Sequence, residues 1–509
     1  MNHLFIRSDA TVSMGTGHMM RCIALAQAWE KRGGFVTFIS CCLHHGVSNR
    51  IESEGFNLVQ IDHICPHARD LQKTLHVINS TLSPIKKDAP GSNHWIILDG
   101  YHFTPNYQKT IMAAGIKLLV IDDYNHLDRY YADILLNQNI GSHHYDYLCG
   151  QDTLKLMGTK YVMLRSEFPM DKKPVPLAKA KNILVTMGGA DPDNITLKIL
   201  HAIDEMETPN LNFNIIQGPG NPHTAELKKT IQNKHSNISL IENADMPEMM
   251  GWADLAITAG GSTCWELCFM NVPMMIIILA ENQIKLAAGL EKAGAAILLG
   301  DKETLTSDQI THSILTMTQN IKKLNQLKKS GAGLVDGKGT KRIIRHLLVG
   351  KMNLRPAGID DTNRLYEWAN DKEVRLSSFR SDPIPWETHL QWIGQKLNDK
   401  NTWIFMAENH MGAPLGQIRF DREDTILKIS YSLDKKFRGL GLGKMLLKTG
   451  LKKIETKIDL PATIQGSIKK DNPASKSSFE NCGFTPMEDH PGINSGHIVY
   501  QLQLHPVKS

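Results

Sequence analysis

Three glycine-rich turns in the first two thirds of the chain each connect a short aliphatic run to a helix-like segment, at residues 13–18, 187–194 and 258–266. Glycine allows a backbone to approach a phosphate closely, and free amides at the start of the following helix stabilise its negative charge. The turns therefore predict a site for a nucleotide diphosphate. Their candidate ligands are Gly15, Gly17, Gly188, Gly189, Gly260, Gly261 and Ser262.

Two of these turns also carry side chains that could take part in chemistry. His18 ends the first turn, and histidine is the side chain that exchanges protons near neutral pH. Glu266 follows Ser262 by one helical turn on the same face, where it could accept hydrogen bonds from ribose hydroxyls. Plainer alternatives remain open here: His18 could only cap its helix, and Glu266 could be a capping-box acid.

The second turn contains the pattern Asp191-Pro192-Asp193, which formally resembles a chelate for a metal-nucleotide. Asp191 followed by proline is, however, a favourable N-cap and N1 pair for the next helix. We therefore expect Asp191 to cap that helix and expect no bound metal. Asp122 and Asp123 stand at the end of a predicted strand without an obvious partner in the sequence.

A fourth glycine-rich loop, at residues 435–444, follows a strand-like run that ends at Leu433. Its Arg-x-x-Gly-x-Gly pattern precedes an amphipathic helix and forms a nest of amides suited to a pyrophosphate. Lys435 and Lys436 add positive charge beside it. An ordinary basic loop that caps the helix is the alternative.

Short aliphatic runs alternate with amphipathic segments before Gly350, a pattern typical of doubly wound parallel sheets. Neighbouring strands precede a single crossover after Gly350, as in an α+β domain. The predicted strands of the first part cover residues 4–7, 36–39, 95–98, 118–121, 183–187, 213–217, 255–258 and 275–279. We predict an α/β protein in which two Rossmann-like domains, at residues 1–165 and 180–349, precede an α+β domain at residues 352–504.

The composition excludes several classes of protein. The 509 residues are 41% hydrophobic and 21% charged, which is typical of globular domains. The net charge of +5 is far from the footprint of a nucleic-acid binder and suits small anionic ligands. That charge leads us to expect no nucleic-acid partner. No apolar run approaches the ~20 residues of a membrane span, so we expect a cytoplasmic protein without membrane partners. The eight cysteines lack zinc spacing and are expected to be reduced thiols.

Segments 6–10, 15–22, 98–101, 187–191 and 259–263 together resemble the motifs of the UDP-sugar hydrolases of pseudaminic acid biosynthesis. The likeness covers about the first 345 residues. It implies a glycosyltransferase-B-like pair of domains that cleaves UDP-2,4-diacetamido-2,4,6-trideoxy-β-L-altropyranose. The bond from C1 to the glycosidic oxygen would break with inversion and without a metal.

The same resemblance assigns roles to three side chains. It implies that His18 is the base or orienting group for the attacking water. Tyr101 matches a tyrosine of the family's motif and is implied to be catalytic, and Arg21 is implied to contribute to the substrate site.

Residues 352–504 resemble the Gcn5-related N-acetyltransferase (GNAT) superfamily, on the loop 435–444 and on segments 472–475 and 482–484. Segments 354–355 and 368–375 further resemble the acetyltransferase that acts one step earlier in the same pathway. The resemblance implies acetyl-CoA as cosubstrate, held by backbone amides of the loop. The implied acetyl-CoA ligands are Leu433, Arg438, Gly439, Gly441, Gly443, Lys444 and Asn472.

The chain departs from the GNAT pattern at one position. Many relatives place a tyrosine five residues before the final Gly-Phe pair, as acid for the leaving thiolate, and this chain has Phe479 there. Phenylalanine cannot donate a proton, so Ser478, Tyr431 or water would have to supply it. The general acid is left unassigned.

The leading interpretation is a bifunctional enzyme with a UDP-linked amino sugar and acetyl-CoA as substrates. The last domain would acetylate the C4 amine of UDP-4-amino-4,6-dideoxy-N-acetyl-β-L-altrosamine, and the first two would hydrolyse the diacetamido product. Two alternatives stay open: a B-type glycosyltransferase fused to an amine acetyltransferase, and a non-catalytic nucleotide-sugar sensor.

Overall fold

The computed structural model describes residues 2–11, 15–41, 45–61, 67, 69–83, 93–170, 175–206, 210–232, 237–487 and 496–505. The chain divides into two compact units, Met1–Ile344 and Arg345–Ser509. The division falls inside the helix Gly339–Val349, just ahead of the predicted boundary near Gly350. In the part of the chain that the structure describes, no helix is long and apolar enough to cross a membrane.

The N-terminal half of the first unit contains a seven-stranded parallel sheet. Its strands are β1 (His3–Ser8), β2 (Phe35–Ser40), β3 (Asn57–Gln60), β4 (His94–Asp99), β5 (Lys117–Ile121), β6 (Ile134–Asn137) and β7 (Leu154–Met157). Its helices are α1 (Gly17–Glu30), α2 (His45–Ser53), α3 (Asp70–Leu82) and α4 (Pro105–Ala113). The strand order is β3-β2-β1-β4-β5-β6-β7.

The C-terminal half of the first unit contains a six-stranded parallel sheet of order β10-β9-β8-β11-β12-β13. Its strands are β8 (Asn182–Thr186), β9 (Asn212–Gln217), β10 (Ile238–Glu242), β11 (Leu255–Ala259), β12 (Met274–Ile278) and β13 (Ala296–Asp301). Its helices are α5 (Ile195–Asp204), α6 (Thr224–Gln232), α7 (Met246–Trp252), α8 (Thr263–Met270), α9 (Glu281–Lys292), α10 (Ser307–Gln319), α11 (Ile321–Ala332) and α12 (Gly339–Val349).

The central strands of both sheets are buried along their whole length and consist mostly of apolar residues. All residues of β1, β11 and β12 are buried. Parallel strands are covered by helices on both faces, so they read as continuous hydrophobic runs rather than alternating ones. The eight strands predicted for this unit from such runs are confirmed.

The strand order reverses at one place in each sheet, between β1 and β4 in the first and between β8 and β11 in the second. The helices that follow the two strands lie on opposite faces there, which opens a crevice at the carboxyl ends of the strands. The first glycine turn follows β1, the second follows β8 and the third follows β11. All three therefore lie where a doubly wound fold binds its ligand.

The second unit is a mixed seven-stranded sheet of order β14-β15-β16-β17-β18-β20-β19. Its strands are β14 (Asn353–Pro356), β15 (Thr402–Glu408), β16 (Pro414–Glu423), β17 (Ile426–Leu433), β18 (Ala462–Lys469), β19 (Thr485–Pro486) and β20 (His497–Leu504). Its helices are α13 (Thr362–Ala369), α14 (Lys372–Ser377), α15 (Trp386–Asn398), α16 (Leu442–Glu455) and α17 (Pro473–Glu480). The predicted α+β order is confirmed.

The parallel pair β17 and β18 is joined at only one end. Their register covers Ile426–Lys428, whereas β17 stays paired with β16 as far as Leu433. The two parallel strands therefore diverge after Lys428 and leave a wedge between them, which we call the β17–β18 wedge. Its β17 side is formed by residues 429–433.

The start of α5 and the cysteines bear on two predictions made from local sequence. Asp191 does cap α5, but from a distance: its carboxylate accepts hydrogen bonds from the amides of Ile195 (2.8 Å) and Thr196 (2.9 Å). Asn194 is the N-cap residue, so the expected N-cap and N1 pair of Asp191 and Pro192 is wrong. Among the described cysteines no disulfide occurs; Cys42 and Cys65 lie outside the described residues.

Candidate active site

His18 lies on the first turn of α1 and faces the end of β4. Its Nδ1 is 2.6 Å from Oδ1 of Asp99, a residue that is fully buried. The carboxylate fixes the ring so that Nδ1 carries a proton and Nε2 is directed away from Asp99. The side chain of His18 remains 9% exposed, and no group within the described ranges bonds to Nε2. The N-cap of α1 is Thr16, so the alternative that His18 caps this helix is wrong. A catalytic role for His18 stays a prediction.

Arg21 stands one helical turn after His18 and joins two carboxylates. Its Nε and Nη2 donate to Asp99 at 2.7 and 2.6 Å, and its Nη1 and Nη2 donate to Asp123 at 2.8 and 2.9 Å. Burial alone would raise the pKa of Asp99, but Arg21 and His18 hold it well below its usual range. Asp99 is therefore a fixed negative charge beside the His18 ring.

Tyr101 completes this network from the loop after β4. Its hydroxyl donates to Oδ2 of Asp123 at 2.8 Å and accepts from Nδ2 of Asn282 on α9 at 3.1 Å. Its ring meets the His18 ring edge to face, with centroids 5.0 Å apart. Burial, followed by the charge of Asp123, raises the pKa of Tyr101, so the phenol stays neutral. The structure thus brings His18, Arg21 and Tyr101 together, and the roles that the resemblance implies for them stay predictions.

The three glycine turns of the first unit meet at this place. A Cβ atom on Gly189 would clash with the Thr16 side chain, and one on Gly17 would stand 3.2 Å from Oγ of Ser262. The turns after β1, β8 and β11 therefore approach each other across the two halves of the unit. Glycine at residue 189 is required by this close approach.

The amides of these turns are used differently from the prediction. Gly15 N–H donates to Thr11 O (2.9 Å), Gly261 N–H to Ala259 O (2.8 Å) and Gly260 N–H to Oε1 of Gln283 (3.1 Å). These three amides stabilise the turns and are not directed at a ligand. The free amides at the start of α8 are those of Ser262 and Thr263, which find no backbone acceptor in the described part of the chain.

Glu266 on α8 pairs with Arg165, which lies in the segment between the two halves. Oε1 of Glu266 accepts from Nη2 of Arg165 at 3.0 Å, and both side chains are largely buried. Burial raises the pKa of Glu266, and Arg165 opposes that rise. Ser262 makes no side-chain capping bond, so the capping-box alternative is wrong. Contact with a ribose stays a prediction.

Sequence reasoning missed several members of the site. Asp99 belongs to the motif segment 98–101 but received no role, and Asp123 had no visible partner. Asn139 donates to Oδ1 of Asp123 at 2.9 Å and accepts from Trp265 Nε1 at 3.3 Å. The available signal was position: Asp99 ends β4 and Asp123 follows β5, so both stand at the carboxyl edge of the sheet.

The loop after β17 in the second unit has the geometry expected of a pyrophosphate nest. Gly439 and Gly441 adopt positive φ angles of 76° and 74°, and α16 begins directly afterwards. None of the amides of residues 439–443 donates to a backbone acceptor among the described residues. The loop is therefore suited to an anionic ligand.

Three predicted acetyl-CoA ligands have protein partners that the sequence did not reveal. The Arg438 guanidinium pairs with Asp371 (2.7 Å) and Glu373 (2.9 Å), and its Nε donates to Leu433 O at 3.1 Å. The Arg438 side chain therefore braces the loop. Lys444 Nζ lies 3.3 Å from Asn481, and the Asn472 side chain caps α17 through Ser475 N at 3.0 Å. A Cβ atom added to Gly443 would stand 3.0 Å from Ser478 Oγ, so α17 approaches the start of α16 closely there.

Two known protein families match this chain, one in each of its two units. Residues 182–344 match the glycosyltransferase family 28 C-terminal domain, and residues 351–485 match the acetyltransferase (GNAT) domain. Together with the two parallel sheets and the mixed sheet, these matches define the class of protein. The chain is a glycosyltransferase-B-like unit followed by a GNAT domain, as the sequence predicted.

Among curated relatives, the N-terminal part is similar to the UDP-2,4-diacetamido-2,4,6-trideoxy-β-L-altropyranose hydrolase of Campylobacter jejuni. The identity is 23% over 295 residues, 57% of this chain and 97% of the relative. The spore coat polysaccharide biosynthesis protein SpsG of Bacillus subtilis is 25% identical over 348 residues, 67% of this chain and 96% of that protein. An uncharacterized protein of Methanocaldococcus jannaschii is 26% identical over 440 residues, 82% of this chain and 84% of its own.

Proposed function

We propose that the chain is a bifunctional nucleotide-sugar enzyme of pseudaminic acid biosynthesis. The first unit hydrolyses UDP-2,4-diacetamido-2,4,6-trideoxy-β-L-altropyranose to the free sugar and UDP, with inversion at C1. The second unit uses acetyl-CoA to acetylate the C4 amine of UDP-4-amino-4,6-dideoxy-N-acetyl-β-L-altrosamine. The product of the second reaction is then the substrate of the first.

One observation carries the hydrolase proposal: the 2.6 Å contact of His18 with buried Asp99, at the point where three glycine turns meet. A histidine oriented by a carboxylate through one nitrogen can take a proton through the other. Here Nε2 takes a proton from the attacking water, and the Asp99 charge stabilises the resulting imidazolium. The named hydrolase relative supports this assignment.

The leaving group needs a separate stabilisation. Water attacks C1 on the face opposite the glycosidic oxygen, the bond from C1 to that oxygen breaks, and the electron pair remains on UDP. The negative charge grows on the pyrophosphate, and the free amides of Ser262 and Thr263 at the start of α8 are suited to stabilise it. Arg21 and Tyr101 hold Asp99 and Asp123 in position.

The acetyltransferase proposal rests on the open amides of residues 439–443 beside the β17–β18 wedge. They are suited to the pyrophosphate of acetyl-CoA, and the wedge gives the thioester a place along the free edge of β17. The amide near Leu433 is proposed to polarise the thioester carbonyl. The GNAT match of this region supports the assignment.

The test incubates the purified full chain with acetyl-CoA and the UDP-4-amino sugar, and follows CoA and UDP release separately. We expect CoA to appear first and UDP to follow, since the acetylated sugar is the hydrolase substrate. Release of neither product would refute the proposal. UDP release from the diacetamido sugar alone should not require acetyl-CoA.

A transferase with a sugar or lipid acceptor is the second candidate, and the glycosyltransferase family 28 match favours it. It predicts little UDP release without an acceptor. Steady UDP release into water, with the free sugar as the other product, would exclude it. Binding of both ligands without any turnover would instead identify a sensor.

A further inference from the structure

The GNAT unit has Phe479, which cannot donate a proton, at the helix position where a general acid is expected. The structure shows that this side chain is part of the core. Phe479 on α17 is 2% exposed. Its ring packs against Phe484 at 4.8 Å, Tyr500 at 5.7 Å and Tyr431 at 6.0 Å between centroids. A Cβ atom on Gly466 of β18 would clash with Cε1 and Cζ of this ring. The end of the ring therefore faces the backbone of β18.

Two other hydroxyl groups beside the Phe479 helix, those of Ser478 and Tyr500, have their protons committed elsewhere. Ser478 Oγ donates to Ala474 O at 2.8 Å, within its own helix. Tyr500 Oη donates to Oε1 of Glu480 at 3.0 Å. Neither proton is available to a ligand without loss of a good hydrogen bond.

Tyr431 differs from both of these residues in position and in partner. It belongs to the part of β17 that β18 no longer pairs, so its backbone lines the β17–β18 wedge. Its hydroxyl lies 3.4 Å from Ser475 Oγ, a long contact, and 3.5 Å from the Cβ position of Gly443 at the start of α16. The hydroxyl thus stands where β17, the glycine loop and α17 meet.

We propose that Tyr431 is the general acid of the acetyltransferase unit, an inference that rests on the acetyltransferase function proposed above. The substrate amine attacks the carbonyl carbon of the acetyl thioester, and the C–S bond then breaks with its electron pair on sulfur. The Tyr431 hydroxyl gives its proton to that thiolate. The nitrogen of the new amide loses its extra proton to water, and the tyrosinate regains one from solvent.

The surroundings of Tyr431 suit this role. Burial raises the pKa of Tyr431, and Ser475 and Ser478 oppose that rise. The phenol therefore keeps its proton at neutral pH until the thiolate forms. The nearby serine hydroxyls can then stabilise the phenolate for the short time before it is reprotonated.

The experiment compares Tyr431→Phe with a matched control, Tyr500→Phe, in the full chain. Both substitutions remove one phenolic hydroxyl beside the Phe479 ring, but only the first removes it from the wedge. Loss of a general acid typically costs about a hundred- to ten-thousand-fold in rate. For Tyr431→Phe we expect kcat for CoA release to fall at least about a hundredfold, with KM for acetyl-CoA within about twofold. Tyr500→Phe should behave as the wild type.

Three outcomes would overturn this assignment. Tyr431→Phe could keep more than a third of wild-type kcat for CoA release. Alternatively, Ser478→Ala could show the large fall in kcat that is expected of Tyr431→Phe. Calorimetry with CoA could also show that Tyr431→Phe weakens CoA binding more than tenfold, which would make the residue a ligand or a support. Failure of the wild type to acetylate the amino sugar is a different result, because it refutes the proposed function itself.

Discussion

The candidate sites of the two units differ in what holds their reactive groups. In the first unit, His18 is held by a buried network of charges, while three of the predicted glycine amides donate to acceptors within the protein. In the second unit, the amides of residues 439–443 find no backbone acceptor in the described part of the chain, and the proposed acid is a neutral phenol in a wedge. The first site therefore depends on ionisation, and the second depends on packing and backbone shape.

The largest expected difference between the two units is in their stability at low pH. Burial would raise the pKa values of Asp9, Asp99 and Asp122, but cationic and hydrogen-bonding partners hold all three below their usual range. A carboxyl with a depressed pKa stabilises the fold above its ordinary value of about 4, and this contribution is lost as the pH falls toward the depressed value. We expect the first unit to unfold below about pH 4 while the second is still folded.

Brief exposure to pepsin at a series of pH values, followed by mass spectrometry, would show which unit is cut first. The depressed carboxyls of the second unit, such as Asp371, lie nearer to solvent and should matter less. Cleavage that begins in both units at the same pH would contradict the comparison.

The second prediction concerns His18→Ala. Loss of a positioned base should lower the rate of UDP release by about a hundred- to ten-thousand-fold, while CoA release stays within twofold of the wild type. His201→Ala is the matched control, because His201 is exposed on α5. A His18→Ala protein with full UDP release would remove the proposed base.

The topology of both units was predictable from sequence because apolar runs and glycine turns are local signals. The charge network was not, because its members are distant in the chain. His18 and Asp99 are 81 residues apart, and Arg21 and Asp123 are 102 residues apart. Only the strand order brings the carboxyl ends of β4 and β5 beside α1.

In the glycine loop of the second unit, too, local features were predictable from sequence and contacts between distant residues were not. Its glycine spacing predicted the open amides correctly, since positive φ angles at Gly439 and Gly441 follow from residue type. The direction of the Arg438 side chain could not be predicted, because Asp371 and Glu373 come from α14 and its N-cap. The position of Tyr431 beside α17 likewise depends on how far β17 and β18 separate.

Asp99→Asn should produce a smaller loss than His18→Ala, because the ring and a hydrogen bond to it can remain. The substitution removes the negative charge that stabilises the imidazolium, a loss of about 1.5–3 kcal/mol for a hydrogen bond to a charged group. We expect kcat for UDP release to fall about ten- to hundredfold with KM nearly unchanged. An equal rise in KM would show instead that the carboxylate shapes the binding site.

Gly189→Ala tests the close approach of the turns without changing any charge. The added methyl group would overlap the Thr16 side chain, and overpacking of this kind costs ~1–3 kcal/mol. We expect UDP affinity, measured by calorimetry, to fall about tenfold and to recover in part when Thr16→Gly is added. Gly333→Ala is the control, since its Cβ atom would stand at an ordinary contact distance, 3.6 Å, from the nearest atom, the backbone oxygen of Ser330.

The smallest expected effect is that of Glu266→Gln, which separates a ribose contact from the ion pair with Arg165. A ribose contact requires the wild type to bind UDP better than 2′-deoxy-UDP, by about two- to tenfold for one hydrogen bond, and requires the variant to lose that preference. A pure ion-pair role would weaken both nucleotides equally, and Arg165→Ala would then do the same. Because each nucleotide serves as the reference for the other, a general loosening of the first unit would not change their ratio.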